Sequence, residues 1–285
     1  MSLKIPLASE DVQRNIAIYG KGGIGKSTVS SHLAAFWGLN GHKVALIGCD
    51  PKRDTTLLLT GNRRIKPLLR ALKNSENPQE CFFRGYANVL CTEIGGPEPG
   101  VGCAGRGLLL AFEVIDRLGV LRDTEIVLYD VPGDVVCGGF VVPMKRDSEV
   151  YIVTSGEYLS IYAANNICNG ARNAGAKVGG LILNSKFDLE LERKVVREFA
   201  EAVGTELVGE IPYLKRLKEC EISGKTVFQL SGTDYESGIF SSIAQRILKS
   251  KPSRKVEGLE DEELIEIFGK FYSSSFSQTQ NSQKE

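Results

Sequence analysis

The chain has 285 residues, 42% hydrophobic and 25% charged, a globular balance that leaves room for one large domain and argues against a disordered or fibrous chain. Lys plus Arg and Asp plus Glu both total 35, so the overall basic excess that marks many nucleic-acid binders is missing. No apolar run approaches the ~18–20 residues that span a bilayer, and the opening MSLKIPLASEDVQRN lacks the apolar core of a secretion signal. A cytoplasmic protein with neither membrane nor nucleic acid as partner is expected.

In chain order, an extension over residues 1–14 leads into NIAIYG (15–20), which reads as a buried strand, and a helix follows from about Lys26 to Asn40. KVALIG is the second strand, PLLRALKN a short helix and YANVLCTEI a third strand. A Gly- and Pro-rich loop, GGPEPGVGCAGRG (95–107), precedes the helical spacing of LLLAFEVIDRLG. EIVLYD, EVYIVTS, KVGGLILN and TELVGEIP read as further strands, with helices near 158–174, 190–203 and 237–249 between or after the last three. Short, nearly continuous apolar strands alternating with amphipathic helices predict an α/β fold, a mostly parallel sheet covered on both faces. A single domain over 15–270 is expected, with 271–285, polar and low in complexity, as a disordered tail.

GKGGIGKST (20–28) follows the first strand and opens the first helix, which is the context that G-x-x-x-x-G-K-[ST] requires. Successive backbone N–H groups of Gly20, Lys21, Gly22, Gly23, Ile24 and Gly25, together with the helix N-terminus, can cradle phosphate oxygens. Lys26 would reach the β/γ phosphates and Ser27 would ligate Mg²⁺, which marks a P-loop NTPase. Lys21 resembles the signature lysine of the deviant Walker A class, in which it contacts nucleotide across a dimer interface. Asp50 and Asp54 follow the second strand and Asp130 ends EIVLYD. Carboxylates at such strand ends order a Mg²⁺ ion, its waters or the attacking water. Gly133 follows Asp130 closely, so its peptide N–H can approach a γ-phosphate, as in switch loops.

Seven cysteines without a C-x-x-C pair argue against a disulfide scaffold. Cys103 in GVGCAGRG and Cys137 in VVCGGF stand apart because glycines flank both. Glycine lets backbone approach a bulky ligand and leaves N–H groups free to bond it. Such thiolates suit Zn²⁺ or an iron–sulfur cluster. Two ligands per chain are too few for a [4Fe–4S] cluster, and a two-fold homodimer supplies two plus two. The other five, Cys49, Cys81, Cys91, Cys168 and Cys220, lack this setting and are expected as buried thiols.

These motifs resemble the nitrogenase iron protein family, which includes the reductase components of dark chlorophyll and nickel-tetrapyrrole synthesis. YGKGGIGKST, GCDPK, GGPEPGVGCAGRG, GDVVCGGF, YAANNIC and LILNSK carry the resemblance. It implies an ATP-dependent one-electron donor, a homodimer bridged by one [4Fe–4S] cluster, that docks on a nitrogenase-like catalytic component and is re-reduced by a ferredoxin or flavodoxin. By motif it implies Cys103 and Cys137 as cluster ligands and Lys21, Lys26, Ser27 and Thr28 at phosphate and Mg²⁺. It also implies Asp50, Asp54, Asp130 and Asp134 in the switches and water activation, with Asn184 at adenine, Glu221 at ribose and Arg106 on the docking surface. Two departures stand out: Pro132 replaces the Leu usual in the Asp-Val-Leu-Gly-Asp switch, and DPKRDTT replaces DPKADST. Two other readings share the P-loop. A positioning or partitioning ATPase leaves the Gly-flanked cysteines unexplained. An iron–sulfur carrier ATPase commonly uses the C-x-x-C pair that this chain lacks.

Overall fold

The structure is a computed structural model that describes residues 13–96, 104–133 and 142–281. Its elements run β1 (Arg14–Tyr19), α1 (Lys26–Leu39), β2 (Val44–Gly48), α2 (Leu57–Thr60), α3 (Leu68–Lys73), β3 (Phe82–Arg84), β4 (Leu90–Glu93) and α4 (Ala104–Leu118). Then come β5 (Ile126–Asp130), α5 (Val142–Lys145), β6 (Glu149–Thr154), α6 (Tyr158–Ala174), β7 (Lys177–Asn184) and α7 (Leu189–Ala202). β8 (Leu207–Ile211), α8 (Arg216–Ser223), α9 (Asp234–Lys249) and α10 (Asp261–Asn281) complete the order.

Among the described residues the strands form one eight-stranded sheet in the order β3-β4-β2-β5-β1-β6-β7-β8. Every pairing is parallel except β3 with β4. The pleat of β1 divides the core. Ile16 and Ile18 face α1 and α9, packing with Leu33, Trp37, Phe240 and Ile247. Ala17 and Tyr19 face the opposite layer, built on Phe112, Ile161, Val195 and Phe199. Both faces are thus covered, which is why the strands read as apolar runs rather than alternating ones. No helix among the described residues is long and apolar enough to cross a membrane.

Two local expectations change. YANVLCTEI is not one strand: Tyr86–Asn88 is a 3-10 turn with positive φ at Ala87 and Asn88, and β4 starts only at Leu90. That turn folds Phe82–Arg84 back as the antiparallel edge strand. The tail expected to be disordered from 271 begins inside α10, which continues to Asn281. Leu264 and Ile267 are buried and Phe268, Phe271 and Tyr272 pack on the same core, so an apolar stripe at helical spacing carries the helix past the polar composition that follows. The Tyr272 hydroxyl donates to the Gly156 carbonyl at 3.1 Å.

The parallel order puts the ends of β1, β2 and β5 side by side, where the chain leaves β1 with β5 on one flank and β6 on the other. Ligands of open α/β sheets bind at the carboxyl ends of the strands, at such a reversal of strand order.

Candidate functional site

The loop after β1 needs its glycines for stated geometric reasons. Gly20 has φ +144°, and a Cβ there would lie 2.1 Å from the Val153 carbonyl oxygen, so only glycine lets the loop leave β1 against β6. Gly25, at φ +99°, is the left-handed residue before α1. The loop delivers Lys26 into the interior, where it is 7% exposed. The Lys26 ammonium donates to the carbonyls of Gly20 at 3.0 Å and Lys21 at 3.1 Å, folded into its own loop. Phosphate oxygens are the natural replacement for those carbonyls. Lys21 and Ser27 are half-exposed at the rim, whereas Gly22 and Gly23 are exposed.

Asp130 ends β5 directly beneath this loop and is 1% exposed. Its Oδ2 accepts the Thr55 hydroxyl at 2.6 Å, while Oδ1 is buried without a hydrogen-bond partner. Burial pushes the carboxyl up to about 6, against the pull of the Ser27 and Thr55 hydroxyls and the Lys26 charge. An orphaned carboxylate oxygen beside a P-loop serine is the donor set that Mg²⁺ takes in such sites, so these residues fit the ion. Asp54 is exposed and lines the same space as Ser27. Asp50 makes a local turn, with Oδ1 accepting the Lys52 N–H at 2.9 Å. Gly133 lies against the P-loop: a Cβ there would stand 2.4 Å from the Gly22 nitrogen.

Two cavities adjoin the loop. One, of about 240 Å³, is lined by Gly25, Thr28, Asn184, Lys186, Tyr213 and Glu221 among others. The second, of about 230 Å³, is lined by Ser27, Thr28, Asp54, Asn62 and Glu221 among others. Thr28 and Glu221 border both, so the two cavities adjoin as one trough beside the P-loop. Asn184, at the end of β7, donates to the Ile24 carbonyl at 2.7 Å and fills the space where a Gly25 side chain would be. Asn184 and Glu221 thus line one cavity with Gly25 and Thr28 of the P-loop. A wider cleft of about 540 Å³ between β8 and α9 lies apart from these residues and has no phosphate-binding loop.

Cys103, Cys137 and Asp134 lie outside the described residues. Helix α4 begins at Ala104, directly after Cys103 and inside the stretch read as loop, and Arg106 is exposed on its first turn. The five remaining cysteines are buried. Burial pushes the Cys91 and Cys168 thiols up to about 12, which keeps them protonated and inert.

Sequence reasoning passed over Glu93. It ends β4, is 1% exposed, and has its carboxyl pushed up to about 7 by burial. The signal was present: the criterion that selects Asp130, an acidic residue closing an apolar strand, selects Glu93 equally.

The model of the family described as "4Fe-4S iron sulfur cluster binding proteins, NifH/frxC family" matches residues 14–274. A protein named nitrogenase iron protein 2 from Methanothermobacter thermautotrophicus is 46% identical over 263 residues, covering 90% of this chain and 98% of its own length. The nitrogenase iron protein 2 of Methanobacterium ivanovii is 45% identical over 265 residues, covering 91% and 100%. Among solved structures, the cell division protein MinD of Aquifex aeolicus superposes with a TM-score of 0.64 at 20% identity, over 84% of this chain and 98% of that one. Cell division ATPase MinD of Pyrococcus furiosus gives 0.65 at 20%, over 82% and 99%. At that identity the likeness shows the fold, a P-loop NTPase sheet.

Proposed function

As the chain belongs to the NifH/frxC family of 4Fe–4S cluster binding proteins, which bind a [4Fe–4S] cluster and MgATP, we propose that it is the ATP-hydrolysing, electron-donating component for a nitrogenase-like catalytic partner. The relatives' name, nitrogenase iron protein, supports that partner class. Two copies hold one cluster through Cys103 and Cys137 of each. A cluster held there would supply a one-electron donor for the partner, to be re-reduced by a small external protein of the ferredoxin or flavodoxin class.

This chain's residues do the remaining work. Lys26 and the N–H groups from Gly22 to Thr28 bind and orient the phosphates. Ser27 and Asp130 hold the Mg²⁺, and Asp50 and Asp54 position water at the γ-phosphate. Lys21 reaches the nucleotide of the second copy. Asn184 and Glu221 hold the base and ribose along the trough, and Arg106 lies on the docking face. Asp134 joins the switch that leads to Cys137.

The observation that carries the reading is the end of β5. Asp130 offers a buried, unpartnered oxygen beside Ser27, and Gly133, three residues on, touches the P-loop backbone. A loop that touches both metal site and P-loop changes order with the γ-phosphate, and four residues later the same chain reaches Cys137.

The test is iron content and its accessibility. Anaerobic dimer should carry about four irons per two chains. Cys103→Ser or Cys137→Ser should abolish them and Cys168→Ser should not. Addition of MgATP should open the iron to a chelator in wild type but not in Lys26→Ala. Full iron content in Cys137→Ser, or chelation indifferent to MgATP in wild type, defeats the reading.

A further inference from the structure

The Mg²⁺ and phosphate chemistry leaves the buried carboxylate of Glu93, at the end of β4, without a task. Glu93 Oε1 accepts both the backbone N–H of Thr56, at 2.8 Å, and its hydroxyl, at 2.7 Å. Oε2 is buried with no partner. A Cβ on Gly48 would stand 2.0 Å from that oxygen, so the sheet makes room for the carboxylate by leaving a side chain out of β2. A buried carboxylate is costly, and a neutral acceptor would satisfy Thr56 at less expense.

The partner residue matters more than the bond. Thr55 gives its hydroxyl to Asp130, and Thr56, the next residue, is held by Glu93. Adjacent positions of one loop therefore attach to carboxylates ending two different strands, β5 and β4. The chain beyond Glu93 runs beside the end of β2, the start of α3 and, at Pro51, the same loop. Ile94 donates to the Gly48 carbonyl at 2.8 Å, and Cβ atoms built on Gly95 and Gly96 would stand 2.8 Å from Pro67 and 2.7 Å from Pro51. Gly107, on α4, faces Leu69 just as closely. Gly96 against Pro51 is thus a second point, besides Glu93 with Thr56, where the 50–56 loop meets the start of the segment that leads on to Cys103.

We propose that Glu93 is a positioning residue that fastens the 50–56 loop to the Gly-rich segment before Cys103, so that the nucleotide state reaches Cys103 by a route separate from the one through Gly133 to Cys137. The proposal rests on the cluster-holding reading above, and each cysteine then answers to its own switch. Asp54 sits two residues before Thr56, so a displacement of this loop on Mg²⁺-nucleotide binding pulls on Glu93 directly.

Hydrogen exchange followed by mass spectrometry on the anaerobic, cluster-loaded full chain tests this, with and without Mg²⁺ and a non-hydrolysable ATP analogue. Two segments are compared, residues 94–108 and 131–141. In wild type both should respond to nucleotide. Glu93→Ala should cut the response of 94–108 at least about fivefold, the low end of ordinary coupling between sites, while 131–141 responds as before. Glu93→Gln keeps the acceptor for Thr56 and should restore the response. Thr56→Val, which removes one of the two donors at nearly constant volume, should weaken it and serves if Glu93→Ala does not fold. A wild-type response of 94–108 in Glu93→Ala or Thr56→Val, an equal loss in both segments, or no response of 94–108 in wild type overturns the proposal. Iron measured in these samples and in a Cys103→Ser control separates this from failure of the functional reading, which would show as iron retained in Cys103→Ser.

Discussion

Gly133→Ala tests the contact between the switch after β5 and the P-loop. The added Cβ would stand 2.4 Å from the Gly22 nitrogen, 2.8 Å from the Lys21 carbonyl carbon and 2.9 Å from the Gly20 oxygen. All three are backbone atoms, so no rotamer change relieves the overlap. Non-bonded carbon contacts settle near 3.5 Å, so the switch and the P-loop must part by about 1 Å. A displacement of that size at a reacting centre costs on the order of 10²-fold in rate. We expect ATP hydrolysis to fall about a hundredfold, equivalent to roughly 2.7 kcal/mol of barrier. MgADP, which lacks the γ-phosphate that the switch reads, should bind nearly as in wild type. Gly133 is only partly buried at the edge of the site, so the melting temperature should barely move. The assay is phosphate release alongside MgADP titration on the same preparation. Hydrolysis within about threefold of wild type, a barrier change under 1 kcal/mol, would falsify the view that this approach is functional.

His32 should make stability depend on pH. Its Nε2 accepts the Val227 N–H at 3.1 Å and its Nδ1 bonds the Thr28 carbonyl at 2.7 Å, and burial lowers its pKa from 6.5 to about 4. The unfolded chain takes up this proton below 6.5 and the folded chain refuses it until about 4, so stability is lost as pH falls through that window, by about 3 kcal/mol. His32→Leu should be less stable throughout but lack that part of the slope; parallel slopes in denaturant titrations at several pH values would sink the idea. Asn184→Ala removes the 2.7 Å bond to Ile24 and one wall of the base-side cavity, and should weaken nucleotide binding about tenfold, the worth of one hydrogen bond, with iron content unchanged. An unaltered Kd refutes it. Asn62→Gly keeps a backbone that tolerates φ +61° while removing the bonds from Asn62 to the Glu221 and Ile222 carbonyls. Nucleotide release should quicken about tenfold, and an unchanged off-rate in stopped flow counts against a role for this clip.

The parts of this architecture legible in the sequence were those written in local chemistry. The apolar runs gave the parallel strands because a sheet covered on both faces leaves no polar side to alternate. The P-loop was readable because its glycines serve a local backbone turn, as the positive φ of Gly20 and Gly25 shows, whatever distant contacts also exclude a side chain there. What escaped depends on contacts between distant segments. Nothing near Glu93 says that Thr56, 37 positions away, would donate to it twice. The break in YANVLCTEI was equally hidden, since positive φ at Ala87 and Asn88 is a demand of the turn that pairs β3 with β4 rather than a preference of alanine. Composition misled at the tail, where serines and glutamines mask a helix that is held at its start by Leu264 and Ile267.

Asp130 shows why the empty site should be less stable than a neutral substitute. Burial raises its carboxyl from 3.8 to about 6 even with two hydroxyls and Lys26 drawing the other way. The folded chain therefore holds this proton more tightly than the unfolded chain, and stability is lost as pH rises through the window between those values, complete by pH 7. The shift corresponds to about 3 kcal/mol, a large share of the stability of an ordinary domain. Asp130→Asn keeps an oxygen to accept from Thr55 and removes the charge. Without nucleotide and magnesium the variant should melt above wild type. With MgADP at a hundred times its Kd, wild type should gain about 2.7 kcal/mol, because the ion takes up the orphaned Oδ1. The variant, lacking that charge, should gain much less from MgADP than wild type does, while ADP with a chelator should serve both equally. A variant that melts below wild type when empty, or that gains as much from MgADP, would mean that the buried oxygen is paired by something other than a cation and that Asp130 is structural.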